Sequence, residues 1–298
     1  MTVAISVSGL TRRYGRQLAL DGVTVDFEGA SITGLLGRNG AGKTTLMRII
    51  AGHELASAGS VRVFGAEPLE NSALLCRMVF IRENQIYPEF KVRHAIRTAS
   101  WFYPNWCDEL AEALLEEFDL PANRAIKKLS HGMRSALGIV ISLAARAEVT
   151  LLDEPNSGLD AVARRRFYDL LLREYAEYPR TMLLSTHLVD EVADLLERVV
   201  VIDHGCVVLD ACSDDLRGTA TRVSGRPLAV EEFVAGRLSW GRATTRSHES
   251  VVVGGVLDDV DRIWARELHL DLRTLSLQEM MVHVVDQTAE DYARETVA

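Results

Sequence analysis

Hydrophobic and polar residues alternate along residues 3–36, at the start of this 298-residue chain. The apolar positions that carry this pattern are Val3, Ile5, Val7, Val23, Val25 and Phe27. A period of two is the spacing of side chains on one face of a β-strand. The pattern therefore predicts a half-exposed antiparallel sheet in this part of the chain.

In the central part of the chain, the spacing of apolar residues no longer follows a simple alternation. Residues 92–146 are predicted to be largely helical, and residues 149–210 are predicted to alternate between strands and helices. The last two strands, Val199–Asp203 and Cys206–Asp210, are predicted to form a hairpin around a two-residue turn. This order of elements indicates an α/β fold.

The character of the sequence changes near residue 213, so residues 213–298 are predicted to form a separate small α/β extension. Its predicted elements are a surface turn at Thr244–His248, a strand and turn at Val251–Gly255, a helix at Asp258–Glu267, an alternating strand at Leu268, Leu270 and Leu272, and a last helix that begins at Ser276–Glu279. Ser276 and Glu279 fit a capping box, in which each side chain bonds the backbone N–H of the other residue.

A predicted strand, a glycine-rich loop and a predicted helix follow one another at Ser31–Leu36, the loop and Thr45–Ala51. The loop fits the pattern G-x-x-x-x-G-K-[ST] and consists of Gly37, Arg38, Asn39, Gly40, Ala41, Gly42, Lys43 and Thr44. Glycines let backbone N–H groups approach phosphate oxygens, Lys43 supplies positive charge, and the Thr44 hydroxyl can coordinate Mg²⁺. The motif predicts that the chain binds a nucleoside triphosphate.

A second apolar run, Val149–Glu154, ends in two carboxylates. It predicts a buried strand whose end emerges at a site. In a phosphate-loop enzyme, Asp153 can hold Mg²⁺ and Glu154 can polarise the attacking water as a general base. A strand that ends in solvated acids is the alternative for the run alone, but the phosphate loop favours the catalytic interpretation.

Three further motifs surround this pair of carboxylates. Leu129–Met133 ends 20 residues before Asp153, Asn156–Asp160 follows directly after the pair, and Ser185–His187 comes after another apolar stretch. With the phosphate loop, these motifs resemble the signature, the D-loop and the switch histidine of the ABC ATPases, over about residues 3–212.

The resemblance implies a P-loop NTPase fold of ABC type at residues 1–212, with a mixed sheet core, an antiparallel β subdomain and a helical subdomain at about 88–146. It also implies that two ATPase subunits meet head to tail, with each ATP between Gly37–Thr45 of one subunit and the signature of the other. The signature residues expected to act in trans are Ser130, His131, Gly132 and Met133. His187 would contact the γ-phosphate, and Asp160 belongs to the D-loop.

Some positions depart from the pattern of the family or have a second interpretation. Tyr14 stands where the family places an aromatic that stacks on adenine, although it could instead be a half-buried core residue. His131 and Met133 replace the usual Gly and Gln. The family's Gln that contacts Mg²⁺ and water has two candidates here, and we prefer Glu83 to the displaced Gln85 because a carboxylate oxygen can ligate a hard cation.

Composition restricts the possible partners. A net charge of −9 and a pI near 5.4 argue against a protein that binds nucleic acid, and the basic run Arg164–Arg166 is predicted to be a solvated helix face. Four cysteines without a C-x-x-C pair are typical of a reduced cytosolic protein. The sequence has no apolar run of the length, about 20 residues, that a membrane span needs. The N-terminus does not have the pattern of a signal peptide.

These features together predict an ATP-hydrolysing subunit of an ABC transporter that uses ATP and Mg²⁺ and forms a homodimer. Its further partner would be a polytopic membrane subunit, so that the protein would be cytoplasmic, at the inner face of the cell membrane. Analogy with drug-exporter subunits favours export. A soluble ABC ATPase that acts on ribosomes or DNA is the alternative, whereas the signature argues against an unrelated P-loop kinase or GTPase.

The aromatic segment Trp101–Trp106 is either core of the helical subdomain or the lip of a groove for the membrane subunit.

Overall fold

The chain divides into two units, each built from two stretches of sequence. The computed structural model describes residues 2–83 and 85–283. The first unit comprises Met1–His187 and Asp194–Asp210, and the second comprises Leu188–Ala193 and the described part of Ala211–Ala298. Residues 284–298 of the predicted extension lie outside the described residues.

The first unit contains two sheets and a set of helices. Its strands are β1 (Val3–Tyr14), β2 (Gln17–Glu28), β3 (Ile32–Leu36), β4 (Ala58–Val63), β5 (Met78–Arg82), β6 (Val149–Asp153), β7 (Thr181–Ser185), β8 (Arg198–Asp203) and β9 (Cys206–Cys212). Its helices are α1 (Lys43–Ile50), α2 (Ser72–Leu75), α3 (Val92–Phe102), α4 (Asp108–Glu117), α5 (His131–Ala144) and α6 (Ala161–Glu177).

The alternating N-terminal residues form the predicted antiparallel sheet, with strand order β2-β1-β4. Ile5, Val7 and Phe27 point their side chains into a common core. The antiparallel prediction is wrong for the end of that span, whereas the separate prediction of a strand before the phosphate loop is confirmed. Ile32–Leu36 is buried along its whole length and belongs to a different, parallel sheet, because both of its edges are paired with other strands.

The second sheet has six strands in the order β5-β6-β7-β3-β8-β9. The neighbours from β5 to β8 pair in parallel, so their carboxyl ends lie at one edge of the sheet. The strands at its centre are apolar and fully buried, as is typical of a parallel sheet that is covered on both faces. In open α/β sheets, ligands bind outside the carboxyl ends of the strands. The phosphate loop follows β3, and the two carboxylates come at the end of β6.

The predicted helical region contains α3, α4 and α5. Helix α5 is buried from Ser135 to Ala144 and contacts α3, α4 and α6. In the aromatic segment at the end of α3, Trp101 is 70% exposed and Phe102 64% exposed, whereas Tyr103 and Trp106 are half-buried. The segment therefore contributes both to the helical subdomain and to its surface. Among the described residues, no helix has both the length and the apolar character that are needed to cross a membrane.

The second unit is a four-stranded antiparallel sheet with helices. Its strands are β10 (Ala220–Gly225), β11 (Ser239–Thr244), β12 (Glu249–Gly254) and β13 (Asp271–Thr274), in the order β11-β12-β10-β13. Its helices are α7 (Val189–Val192), α8 (Ser213–Leu216), α9 (Pro227–Val234), α10 (Asp259–Glu267) and a helical stretch at 277–283. Val251 and Val253 pack with α9 and α10, whereas Val252 faces Trp240 and Met280 on the other side.

The predicted capping box at the last helix is confirmed. The Ser276 N–H donates to Glu279 Oε2 at 3.1 Å, and the Glu279 N–H donates to Ser276 Oγ at 3.3 Å. The predicted strand through Leu268, Leu270 and Leu272 is wrong at its start, because α10 continues to its C-cap at Leu268. His269 then turns the chain with a φ of 54°, and the strand begins only at Asp271.

Candidate functional site

The phosphate loop turns sharply between β3 and α1. Gly37 and Gly42 have φ angles of 144° and 114°, which residues with a side chain rarely adopt. A Cβ on Gly42 would lie 2.6 Å from the carbonyl oxygen of Ala19, and a Cβ on Gly37 would overlap the carbonyl oxygen of Ile202. Both glycines are therefore required by the packing of the loop against neighbouring backbone.

The remaining loop residues differ in exposure. Arg38, Asn39 and Gly40 are exposed at the tip, Ala41 is buried, and Thr44 and Thr45 are half-buried in the first turn of α1. Helix α1 begins at Lys43, so its first backbone N–H groups open onto the loop.

Lys43 is buried at the base of the loop. Its ammonium donates to the carbonyl oxygens of Gly37 at 2.8 Å and Arg38 at 3.0 Å. Burial lowers the pKa of Lys43, and the nearby negative charges of Glu154 and Asp153 oppose this shift. The loop thus holds a cation close to two carboxylates.

Asp153 lies at the carboxyl end of β6, beside the first turn of α1. The Thr44 hydroxyl donates to Asp153 Oδ2 at 2.7 Å. Burial raises the pKa of Asp153, and the hydrogen bond from Thr44 opposes that shift. A hydroxyl and a carboxylate side by side offer the hard oxygen ligands that Mg²⁺ prefers, so the donor set fits this ion.

Glu154 and His187 form a pair at the ends of neighbouring strands. His187 Nδ1 and Glu154 Oε2 are 2.8 Å apart, although the two residues are 33 positions apart in the sequence. Glu154 takes a φ of 49°, and its N–H donates to the carbonyl oxygen of Ser185 at 3.0 Å, so the strand ends there. Burial raises the pKa of Glu154, and the hydrogen bond and charge of His187 oppose the shift. A positive φ at a residue with a side chain is strained, and the hydrogen bond to Ser185 helps to hold Glu154 in this conformation.

The signature residues begin helix α5. Ser130 is exposed and caps the helix, where its Oγ accepts from the N–H of Met133 at 3.2 Å. Gly132 packs so closely on the carbonyl oxygen of Gly158 that a Cβ would overlap it. His131 also contacts this loop, and its Nε2 is 3.1 Å from Ser157 Oγ.

Both candidates for the family's Gln lie after β5 and line one cavity of about 220 Å³. His131 and Glu154 line the same cavity. Glu83 Oε1 accepts a hydrogen bond from the Ser157 hydroxyl at 2.8 Å. The structure therefore brings Glu83, Gln85 and the signature His131 to the side of Glu154.

Tyr14 and Asp160 occupy exposed positions at the ends of elements. Tyr14 ends β1 and is 40% exposed, so part of its ring is open to solvent. Arg12 stacks its guanidinium on the Tyr14 ring, 4.7 Å from the centroid. Asp160 caps α6, where its Oδ1 accepts from the N–H of Ala163 at 2.8 Å.

The predicted residues thus form two connected groups, and one member of the second group was not predicted. Lys43, Thr44, Asp153, Glu154 and His187 meet at the carboxyl ends of the parallel strands, and Glu83, His131 and Ser157 meet beside them. Ser157 was only one letter of the D-loop motif in the sequence. No local pattern signals its contacts, because its partners are 26 and 74 positions away.

The chain is similar to known ATP-binding proteins in both sequence and fold. The sequence model of the family described as "ABC transporter" matches residues 20–157. The chain is 32% identical to the daunorubicin resistance ATP-binding protein DrrA3 of Streptomyces coeruleorubidus over 72% of this chain and 70% of that protein. It is 30% identical to the aliphatic sulfonates import ATP-binding protein SsuB 1 of Burkholderia cenocepacia over 83% and 76%, respectively. A solved structure of the ATP binding subunit of an ABC transporter superposes with a TM-score of 0.65 at 25% identity, over 72% of this chain and 92% of that one.

Proposed function

Because the chain belongs to the ABC transporter family, as an ATP-binding subunit with ATPase activity, we propose that five of its residues carry out ATP hydrolysis at one edge of the parallel sheet. They are Lys43, Thr44, Asp153, Glu154 and His187. The observation that carries the proposal is that a buried cation, a hydroxyl–carboxylate pair and a carboxylate–imidazole pair converge after β3, β6 and β7. Phosphoryl transfer depends on positioning and on neutralisation of charge, and this set can supply both.

The phosphate loop, Gly37–Thr45, would bind the triphosphate of ATP. Its backbone N–H groups and Lys43 would contact the phosphate oxygens. Thr44 and Asp153 would hold Mg²⁺, which neutralises phosphate charge when it is bound. The distance of 2.7 Å between their oxygens supports this assignment.

Glu154 is proposed as the general base. Its carboxylate would accept a proton from the attacking water, and His187 would orient that carboxylate and contact the γ-phosphate. The short Nδ1–Oε2 distance of 2.8 Å supports the pair, because an imidazole N–H at that position donates to the carboxylate. The raised pKa of Glu154 makes it a stronger base than a solvated carboxylate.

We also propose that two subunits share each ATP. ABC ATP-binding subunits dimerise and work with membrane subunits, and the signature of one copy would close over the nucleotide of the other. Ser130 is exposed and stands at the beginning of a 14-residue helix, where a hydroxyl and free N–H groups favour an anion. His131, Gly132 and Met133 would complete this surface, and Asp160 would lie close to it.

Tyr14 and Glu83 are proposed to have supporting roles. Tyr14 would stack on adenine, and its exposed ring supports this role. Glu83 would take the place of the family's Gln, since it is hydrogen bonded in the cavity that Glu154 also lines. Turnover and Mg²⁺ dependence that survive Glu83→Ala but not Gln85→Ala would assign that role to Gln85.

The remaining partner is proposed to be a polytopic membrane subunit, which would hold this protein at the inner face of the cell membrane. The drug-resistance relative favours export, whereas the sulfonate relative works in import, so similarity alone does not give the direction. Trp101 and Phe102 are exposed on the helical region and would contact that subunit, because exposed aromatic residues are favoured in interface cores.

Glu154→Gln tests the hydrolytic site. The variant should retain ATP and lose turnover by about 10²–10⁴-fold, the usual contribution of a general base. At saturating ATP and Mg²⁺ it should elute as a dimer in size-exclusion chromatography. Glu117→Gln, which changes an exposed acid in α4, is the control and should behave as the unchanged protein. A Glu154→Gln protein that stays monomeric would overturn the shared-site proposal.

Copurification from membranes tests the transport assignment. The unchanged protein should bring down a multi-span protein, and a Trp101→Ser, Phe102→Ser double variant should lose that partner while it still hydrolyses ATP. Inside-out membrane vesicles should accumulate substrate if the complex exports. A protein that instead sediments with ribosomes or DNA would favour the soluble alternative.

A further inference from the structure

A chain of hydrogen bonds connects the signature to Glu83 within one subunit. The Ser157 hydroxyl donates to Glu83 Oε1 at 2.8 Å, and His131 Nε2 lies 3.1 Å from the same Ser157 oxygen. A serine has a single hydroxyl proton, and here that proton is directed to the carboxylate. The Ser157 oxygen must therefore accept from His131, which places the imidazole proton on Nε2.

The loop that carries Ser157 is fixed from three sides. The Ser157 N–H donates to the Glu154 carbonyl oxygen at 3.1 Å, and the Ser135 hydroxyl donates to the Ser157 carbonyl oxygen at 2.6 Å. A Cβ on Gly158, the next residue, would lie 2.5 Å from Cδ2 of the His131 ring. The imidazole therefore rests directly on this loop and has little freedom to turn away from Ser157.

We propose that His131 is a positioning residue for Glu83 and acts through the Ser157 hydroxyl. Without the imidazole N–H, the Ser157 hydroxyl could rotate and leave Glu83 without its donor. His131 is the first residue of α5 and directly follows Ser130, so a movement of the signature helix would also release Glu83. The proposal rests on the role proposed above for Glu83.

The imidazole ¹⁵N NMR spectrum of the full-length protein tests the geometry directly. His131 should show the tautomer with its proton on Nε2, and its signals are identified by their loss in His131→Phe. Ser157→Ala should shift those signals toward a mixture of tautomers, whereas Ser157→Thr, which keeps the hydroxyl, should not. A His131 spectrum that is the same in Ser157→Ala as in the unchanged protein would overturn the proposal.

Steady-state kinetics test the consequence. His131→Phe keeps an aromatic ring on the loop but removes the donor, and it should lower kcat by about two- to tenfold, the size of one hydrogen bond. Ser157→Ala should do the same, and the KM for ATP should stay within about twofold because only the orientation of Glu83 changes. Ser157→Thr should restore most of kcat.

A double-mutant comparison distinguishes positioning from a general structural effect. In a Glu83→Ala background, neither His131→Phe nor Ser157→Ala should lower the residual kcat further. Lys127→Ala, which removes an exposed ion pair with Glu89, is the control and should leave kcat unchanged. Additive losses would overturn the proposal, and if Ser157→Ala does not fold, His131→Phe decides alone. Normal turnover in Glu83→Ala itself would refute the role of Glu83 and this proposal, but not the ATPase function, which Glu154→Gln tests.

Discussion

At the scale of single residues, the environment of Glu154 balances two opposing effects. Burial favours the protonated carboxyl and raises its pKa, whereas the hydrogen bond and charge of His187 favour the carboxylate. Lys43 acts in the same direction as His187. Burial is the larger effect, so the pKa of Glu154 lies above its ordinary value, and His187 and Lys43 limit that rise.

Removal of His187 should thus shift the pH dependence of hydrolysis. His187→Ala removes the group that lowers the pKa of Glu154, so that pKa should rise and the base should become protonated at higher pH. The acid limb of kcat against pH should move upward, and kcat at its maximum should fall about 10- to 100-fold, as for the loss of a hydrogen bond to a charged group.

The pH profile of the residual activity checks this prediction. His187→Gln is the matched variant, since an amide N–H can still donate to the carboxylate, and it should move the acid limb less than His187→Ala does. An acid limb that stays in place or moves to lower pH in His187→Ala would show that His187 does not set the ionisation of Glu154.

Local spacing predicted the positions of Lys43, Asp153 and Glu154 because each is fixed by a motif of a few residues. The contacts of Ser157 could not be predicted in this way. They arise because β5 lies beside β6 in the sheet and the start of α5 packs on the loop after β6. This proximity depends on the order of strands in the sheet, and no short stretch of sequence indicates it. The same reason explains why the sequence left Glu83 and Gln85 as alternatives.

At the scale of elements, the connection between β3 and α1 depends on two kinds of glycine. Gly40 has a φ of 82°, and a Cβ at this residue would have no neighbouring atom within 4 Å. An alanine at this position would therefore strain the backbone but would not clash with any neighbour. Gly42 has a φ of 114°, and its Cβ would also clash with the Ala19 carbonyl oxygen at 2.6 Å and with Leu20 Cδ2 at 2.8 Å.

Substitution of these two glycines should therefore have different costs. Gly40→Ala should reduce the free energy of unfolding by about 1–2 kcal/mol, the cost of a left-handed residue. Gly42→Ala should cost more than this, because the strand that carries Ala19 must also move, and it should weaken ATP binding. Chemical denaturation and fluorescent-nucleotide titration of the two variants check the order. Equal losses in both variants would contradict the steric argument.

Elements with a strong local pattern were predicted correctly, and elements defined by their neighbours were not. The apolar run before Asp153 forms the expected buried strand. Strand β10, in contrast, has Val223 as its one apolar residue of large size, and it was not predicted although it pairs with strands on both edges. The alternation of Leu268, Leu270 and Leu272 was misleading because Leu268 is the C-cap of α10 and Leu270 precedes β13, so that only Leu272 belongs to the strand.

At the scale of the whole molecule, each unit has a hydrophobic core of its own. All of the proposed site residues, from Tyr14 to His187, belong to the first unit. In the second unit, Phe233 is fully buried among residues of α9, α10 and the sheet, and its ring lies 5.1 Å from that of Trp264. We infer that the second unit is an accessory domain that hydrolysis itself does not require.

Phe233→Ala should accordingly unfold the second unit without loss of the ATPase site. Removal of a buried aromatic ring costs about 3–5 kcal/mol, a large part of the stability of a small domain. Hydrogen exchange should show loss of protection in β10 to β13, whereas kcat and KM for ATP should stay within about twofold because their residues lie in the other core. Leu228→Ala, on the same helix but 82% exposed, is the control and should change stability by at most about 0.5 kcal/mol. A parallel loss of ATPase activity in Phe233→Ala would show that the catalytic unit depends on the second core for its own folding.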